Sequence, residues 1–246
     1  MPVQETKWQL PTPDGKTIYG VTSSAQKTDK VIVLVHGLGS SIHDYAYKRA
    51  ADTFAKKGYD VVLFSLYDGE EGGRELEDCT LKVFAEDTRQ VISHIAPSYK
   101  DVFAIGHSYG APTLMLAQAP EVKVVCLWDP SFDLGVVQNK FMNHYKRLPG
   151  MYAISWGTSL LINEEMFNEA SEYDAEKCLE LSKQYNKPIK VILAGKAFYV
   201  TQPQSYHSAG HPKNCKDVVE EGDHLFAEGT SCEDLLEKTL NWFKEF

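Results

Sequence analysis

Val102-Phe103-Ala104-Ile105-Gly106-His107-Ser108-Tyr109-Gly110 is the stretch on which the reading of the fold turns. Its first four residues are a short apolar run of the kind that forms a buried strand. Residues 109–119, which follow, carry apolar side chains at three- and four-residue spacing, so a strand must pass into a helix within a few residues. Two glycines bracket the turn. They keep Cβ atoms out of a crowded corner and leave Ser108 exposed on a sharp, strained elbow.

Working outward, similar short runs recur at residues 7–10, 17–21, 31–35, 61–64, 124–127, 189–194 and 218–219. Longer amphipathic stretches separate the later ones, at 45–57, 81–96, 176–185 and 233–246. Strands that alternate with helices predict an α/β domain: a mostly parallel eight-stranded sheet with helices on both faces. The first two strands flank Pro13-Asp14-Gly15, a turn tripeptide, and form an antiparallel lead-in hairpin. Residues 1–246 read as one domain. Between Pro130 and Lys187, however, 58 residues join two strands that should be neighbours, far more than one crossover helix needs. This excess, at about 130–187, predicts a small helical cap, rich in Phe141, Met142, Tyr145, Tyr152, Trp156, Met166 and Phe167.

Composition narrows the classes of partner. The chain has 34 Asp and Glu against 25 Lys and Arg, a net charge of −9, so nucleic acid and anionic membranes are poor candidates. Its apolar runs are too short to span a bilayer, and residues 1–5 do not read as a secretory signal. Five scattered cysteines point to a reduced compartment, and the expectation is a cytoplasmic protein. Nothing in the sequence implies a cofactor. His207, His211 and Cys215 are spaced at four residues, but Gly210 and Pro212 break any helix that would align them, so no metal site is expected.

The elbow places the Tyr109 N–H at a helix N-terminus, where it faces a developing oxyanion. A second donor comes from His36-Gly37-Leu38-Gly39 after the strand at 31–35, where Leu38 offers its backbone N–H and His36 reads as a structural brace. Val-His-Gly-Leu-Gly, Gly-His-Ser-Tyr-Gly and Gly222-Asp223-His224-Leu225-Phe226 together resemble the α/β-hydrolase family, across nearly the whole chain. Residues 66–73 are similar to a loop of small feruloyl or cinnamoyl esterases and monoacylglycerol-lipase-like enzymes. The family order is serine, acid, histidine, which implies Ser108 as nucleophile and His224, rather than His144, His207 or His211, as base.

The acid is the anomaly. Most relatives carry it after the strand equivalent to 189–194, yet Gly195-Lys196-Ala197-Phe198-Tyr199-Val200-Thr201 holds none, and neither Asp nor Glu occurs from Gly195 to Lys216. The expected acid is therefore Asp129, at the end of the preceding strand, as in pancreatic-type lipases. Asp133, Asp223 and no acid at all are the alternatives, the last including a substitution at Ala197. The resemblance implies a serine esterase acting on a small-molecule ester with a small to medium acyl or aryl group. The competing readings are a non-catalytic binding protein, or acyl transfer, thioester or C–C hydrolysis on the same serine. Lys140, Lys146 and Arg147 put positive charge on the cap, a feature that could favour a substrate with a free carboxylate.

Overall fold

The computed structural model describes residues 2–67, 69–141, 145–155 and 159–246. Asp68, Met142, His144 and Trp156 of the sequence reading lie outside the described residues, as do the side chains of Lys140, Phe141 and Tyr199.

The chain opens with a hairpin, β1 (Gln4–Pro11) and β2 (Thr17–Ser24), paired antiparallel across a turn in which Gly15 takes a φ of 84°. There follow β3 (Lys30–Val35), α1 (Tyr45–Lys56), β4 (Asp60–Phe64), α2 (Leu81–Ile95), β5 (Asp101–His107), α3 (Gly110–Ala117) and β6 (Val122–Trp128). After the 129–188 segment come β10 (Ile189–Ala194), β11 (Cys215–Val219) and α7 (Ser231–Phe243). The sheet has eight strands in the order β1-β2-β4-β3-β5-β6-β10-β11. From β4 to β11 every pairing is parallel, whereas β2 joins β4 antiparallel.

Each central strand is buried on both faces, which is why its sequence is apolar without a break. In β3, Val31, Val33 and Val35 enter one core with Phe84 of α2 and Leu114 of α3, while Ile32 and Leu34 enter the other with Phe54 of α1 and Leu235 of α7. In β5 the alternation repeats, with Ala104 on the first face and Phe103 and Ile105 on the second. Two layers of helices thus enclose one sheet.

The 129–188 segment contains α4 (Leu134–Phe141), α5 (Glu164–Glu172) and α6 (Ala175–Tyr185), the last at the amphipathic stretch read at 176–185. It also holds a feature absent from the helical expectation: a three-stranded antiparallel sheet of β7 (Tyr145–Leu148), β8 (Met151–Ser155) and β9 (Ser159–Asn163). In β8, Tyr152 and Ile154 are buried while Ser155 is exposed, a period of two rather than of 3.6. Tyr152 stacks on Phe167 with ring centroids 3.9 Å apart, and Tyr145 packs against both rings, so these aromatics hold the segment to itself.

Arg74 pins the acidic stretch before α2. Arg74, 7% exposed, binds both carboxylate oxygens of Asp87 in α2 and both of Asp14 in the first hairpin turn. Asp87 is 1% exposed, and its burial raises its pKa even with the guanidinium beside it. Arg74→Ala would strand that carboxylate, and a loss of about 3–5 kcal/mol is expected. Urea unfolding measures it; a loss below about 1 kcal/mol would mean that the pair does not hold the loop.

Candidate active site

Ser108, the first residue after β5, has a φ of 52°, the left-handed region that a non-glycine residue adopts only when its surroundings hold it there. The surroundings are tight. A Cβ on Gly110 would lie 2.2 Å from the Val35 carbonyl oxygen, and one on Gly106 would lie 2.7 Å from the Gly110 carbonyl oxygen. The elbow backbone therefore rests directly on β3. Its position is fixed further by the Ser108 N–H, which donates to the Trp128 carbonyl at 3.0 Å, and by the Ser108 carbonyl, which accepts from the Ser131 N–H at 3.0 Å.

His224 lies in the connection between β11 and α7, anchored by Phe226, which is fully buried with a φ of 49°. Its Nε2 is 2.9 Å from Ser108 Oγ. Its Nδ1 is 2.5 Å from Asp129 Oδ2. Asp129 is the first residue after β6, fully buried, with a φ of 36°. Its other oxygen accepts the Ala194 N–H at 3.1 Å. A carboxylate so buried needs such donors, and the geometry assigns the Nδ1 hydrogen to His224 and leaves Nε2 free to accept from the serine hydroxyl.

The other acids serve elsewhere. Asp133 accepts the Val136 N–H at 3.4 Å near the start of α4, and Asp223 accepts the Ala227 N–H at 2.8 Å. The loop after β10 contributes backbone instead of an acid: Gly195 N–H donates to the Val219 carbonyl at 2.8 Å and Lys196 N–H to the Gly222 carbonyl at 2.9 Å, tying this loop to the one that carries His224. Ala197 packs partly buried against the core. Among the described residues no group of three or more His, Cys, Asp or Glu could hold a metal ion.

The loop after β3 meets the serine from the other side. A Cβ on Gly37 would fall 3.0 Å from Ser108 Cβ and 3.5 Å from its Oγ, so the 36–39 turn lies against the serine side chain. His36, 1% exposed, bridges this turn to the segment after β4, with Nδ1 2.8 Å from the Gly37 carbonyl and Nε2 accepting the Leu66 N–H at 3.0 Å. The Gly39 N–H donates to the Tyr67 hydroxyl at 2.6 Å. Leu38 is half-buried at the tip of the turn, and Tyr109 is the N-cap residue just before α3.

Two residues that the sequence reading passed over also touch this arrangement. Tyr47 of α1 is 1% exposed, and its hydroxyl lies 2.5 Å from His107 Nδ1 and accepts the Gly37 N–H at 3.3 Å. His107 Nε2 is 2.8 Å from the His224 carbonyl oxygen, and the two imidazole rings are 5.1 Å apart. Burial pushes the His107 pKa down to about 3. His107 stands inside the Gly-His-Ser-Tyr-Gly motif, yet no local pattern announces a partner 60 residues away.

The 129–188 segment docks beside this site through polar contacts. Asn163 Nδ2 donates to the carbonyls of Glu77 and Cys79 at 2.9 and 3.0 Å. Glu169, 2% exposed, accepts the Leu81 N–H at 2.7 Å at the start of α2 and lies 3.3 Å from Lys82 Nζ. Lys146 and Arg147 are exposed on β7, and Arg147 pairs with Glu164 at 3.3 Å, so part of the cap's positive charge is spent locally.

These features define a class: an α/β protein with a serine on a strand-to-helix elbow, contacted by a histidine that a buried aspartate orients. Residues 32–228 match the profile of the alpha/beta hydrolase family, and the chain belongs to that family. Membership supports hydrolase activity. No curated protein sequence matches the chain. Among solved structures, alpha/beta hydrolase domain-containing protein 10 from mouse is similar with a TM-score of 0.75 at 16% identity, covering 98% of this chain and 99% of that one. Est1E from Butyrivibrio proteoclasticus with bound ferulic acid superposes with a TM-score of 0.70 at 15% identity, covering 93% and 96%. The esterase domain of a Rhodothermus marinus protein gives a TM-score of 0.70 at 15% identity, covering 98% of both chains.

The docking of Glu169 carries a pH signature. Burial raises its pKa in the folded chain above 4.5, so the native state binds the proton more tightly than the unfolded one. The charged form therefore costs stability at neutral pH, and the cost is relieved as pH falls through the native pKa. Measured by urea unfolding, the wild type should gain stability relative to Glu169→Gln between neutral pH and 4.5. A gap that moves the other way would contradict the burial of the charge.

Proposed function

We propose that this protein is a serine hydrolase that cleaves carboxylic esters through an acyl-enzyme on Ser108. The observation that carries the reading is the continuous relay from Asp129 Oδ2 to His224 Nδ1 at 2.5 Å and from His224 Nε2 to Ser108 Oγ at 2.9 Å. Ser108 Oγ attacks the acyl carbonyl as His224 Nε2 takes its proton, and the Leu38 and Tyr109 N–H groups hold the oxyanion of the tetrahedral intermediate. The imidazolium then protonates the leaving alkoxide. Water, deprotonated by the same nitrogen, releases the acid and restores the serine. Asp129 keeps the imidazole in the Nδ1–H tautomer and offsets its positive charge in both halves of the cycle.

An aryl or apolar acyl group of modest size fits the surroundings. Leu225, directly after His224, is 51% exposed, and Phe198, in the loop after β10, is 41% exposed. Leu225 adjoins the base in sequence and Phe198 lies on the loop tied to the base loop through Lys196, which supports an apolar group on the substrate. The ferulic acid bound to Est1E, on a similar fold, is an aryl acid of that size.

The test combines labelling with turnover. A fluorophosphonate should label wild type and not Ser108→Ala. With p-nitrophenyl acetate and butyrate, Asp129→Asn should lose about 10³- to 10⁴-fold in kcat, since the amide supports the wrong tautomer. Its thermal midpoint should stay close to that of wild type, because Asn keeps an oxygen for the Ala194 N–H. An active Asp129→Asn would remove Asp129 from the mechanism, and an unlabelled wild type would favour a binding protein over an enzyme.

A further inference from the structure

We infer that Tyr47 and His107 are positioning residues which lock the backbone of the base loop and of the oxyanion loop to each other through one buried hydrogen-bond chain. The inference rests on the serine hydrolase reading above and extends it to residues that touch neither substrate nor reacting atoms.

The direction of every link follows from chemistry. The His224 carbonyl can only accept, so His107 Nε2, 2.8 Å away, carries the hydrogen. His107 is 3% exposed with its pKa depressed to about 3, so the ring is neutral and Nδ1 bears a lone pair. Nδ1 must then accept, and the Tyr47 hydroxyl at 2.5 Å donates to it. That leaves the phenol oxygen to accept the Gly37 N–H at 3.3 Å. The chain Gly37 N–H, Tyr47 O–H, His107 Nε2–H, His224 C=O runs in a single sense, so each bond polarises the next.

Its ends are the two parts of the site that must keep register across Ser108. Gly37 precedes Leu38, whose N–H is the proposed oxyanion donor, and the His224 carbonyl belongs to the base itself. Helix α1 supplies the tyrosine and the elbow supplies the histidine, so the loops after β3 and β11, which are not neighbours in the sheet, are coupled through side chains. A neutral ring at His107 also avoids placing a second cation 5.1 Å from the imidazolium that His224 becomes during turnover.

Three variants test this: Tyr47→Phe, His107→Leu and His107→Gln. A glutamine amide nitrogen reaches about as far as Nε2 and can donate to the same carbonyl, whereas leucine cannot. With p-nitrophenyl butyrate, Tyr47→Phe and His107→Leu should lose about 10- to 100-fold in kcat per fluorophosphonate-titrated site, with KM changed by no more than about twofold. His107→Gln should recover most of the loss. Long-range ¹H–¹⁵N correlation, which needs no turnover, should find His107 as the neutral Nε2–H tautomer in both wild type and Tyr47→Phe, with the Nδ1 resonance moved in Tyr47→Phe by loss of the phenol's hydrogen bond. The inference is overturned if kcat per titrated site is unchanged while only the thermal midpoint falls, if glutamine rescues no better than leucine, or if His107 in wild type is charged or protonated on Nδ1. A wild type that shows the expected tautomer but neither labels nor turns over would refute the serine hydrolase reading, and with it a catalytic role for the chain.

Discussion

Backbone resting on backbone, where the elbow after β5 meets β3, is the contact on which the site depends. No side chain can enter there: a Cβ at Gly110 would overlap the Val35 carbonyl at 2.2 Å and that of His36 at 2.7 Å. Because the approach is so close, the start of α3 and the turn after β3 lie on the same side of Ser108, and two loops distant in sequence come to flank one hydroxyl. The strained φ of 52° at Ser108 is tolerated because the surrounding structure overdetermines it. The buried sheet resists adjustment, so strain at the elbow is not relieved by drift of the strands.

Sheet order explains where the acid can sit. Strand β6 lies between β5 and β10, so a carboxylate at its carboxyl end is one strand from the serine and one from the backbone of β10. Asp129 is held by the second of these: its own N–H donates to the Ile192 carbonyl at 2.7 Å and its side chain takes the Ala194 N–H, both in β10. The loop after β10 then needs to offer only backbone to the loop that carries His224, which it does through Gly195 and Lys196. With Asp129 as the proposed acid, no carboxylate is required from Gly195 to Lys216, and none occurs there.

Much of the fold was legible because parallel strands buried on two faces leave uninterrupted apolar runs, and β3, β4, β5, β6 and β10 all stand where those runs are. Ser108 and His224 were legible because glycines mark the turns that expose them. Asp129 was one of several candidates, since choosing among acids requires knowing which strand adjoins which. The β7–β9 sheet was missed although Leu148-Pro149-Gly150-Met151 carries a hairpin signal: Leu148 pairs with Met151, and Gly150 takes a φ of 71°. Charged Lys146 and Arg147 on β7 obscured its alternation, and the expectation of a helical insert hid the turn. Tyr47 and His107 left no local signal, because their roles are set by tertiary contacts over 60 and 117 residues.

The way the 129–188 segment is attached follows from what a helix N-terminus requires. The first N–H groups of α2 have no partners within the helix. Thr80 takes one, the Val83 N–H, at 3.1 Å, and Glu169 reaches from α5 to take the Leu81 N–H. A buried carboxylate gains little net stability over a well-packed apolar side chain, since its desolvation offsets most of the attraction. It gains position instead: an apolar contact could slide along α2, whereas a carboxylate at the positive end of the helix has one place to sit. One turn further along, Phe84 packs against both Tyr67, which holds the Gly39 N–H, and Tyr109 of the elbow. The start of α2 therefore holds the segment, the 36–39 turn and the elbow in one frame, through Glu169 on one side and the packed rings of Tyr67, Phe84 and Tyr109 on the other.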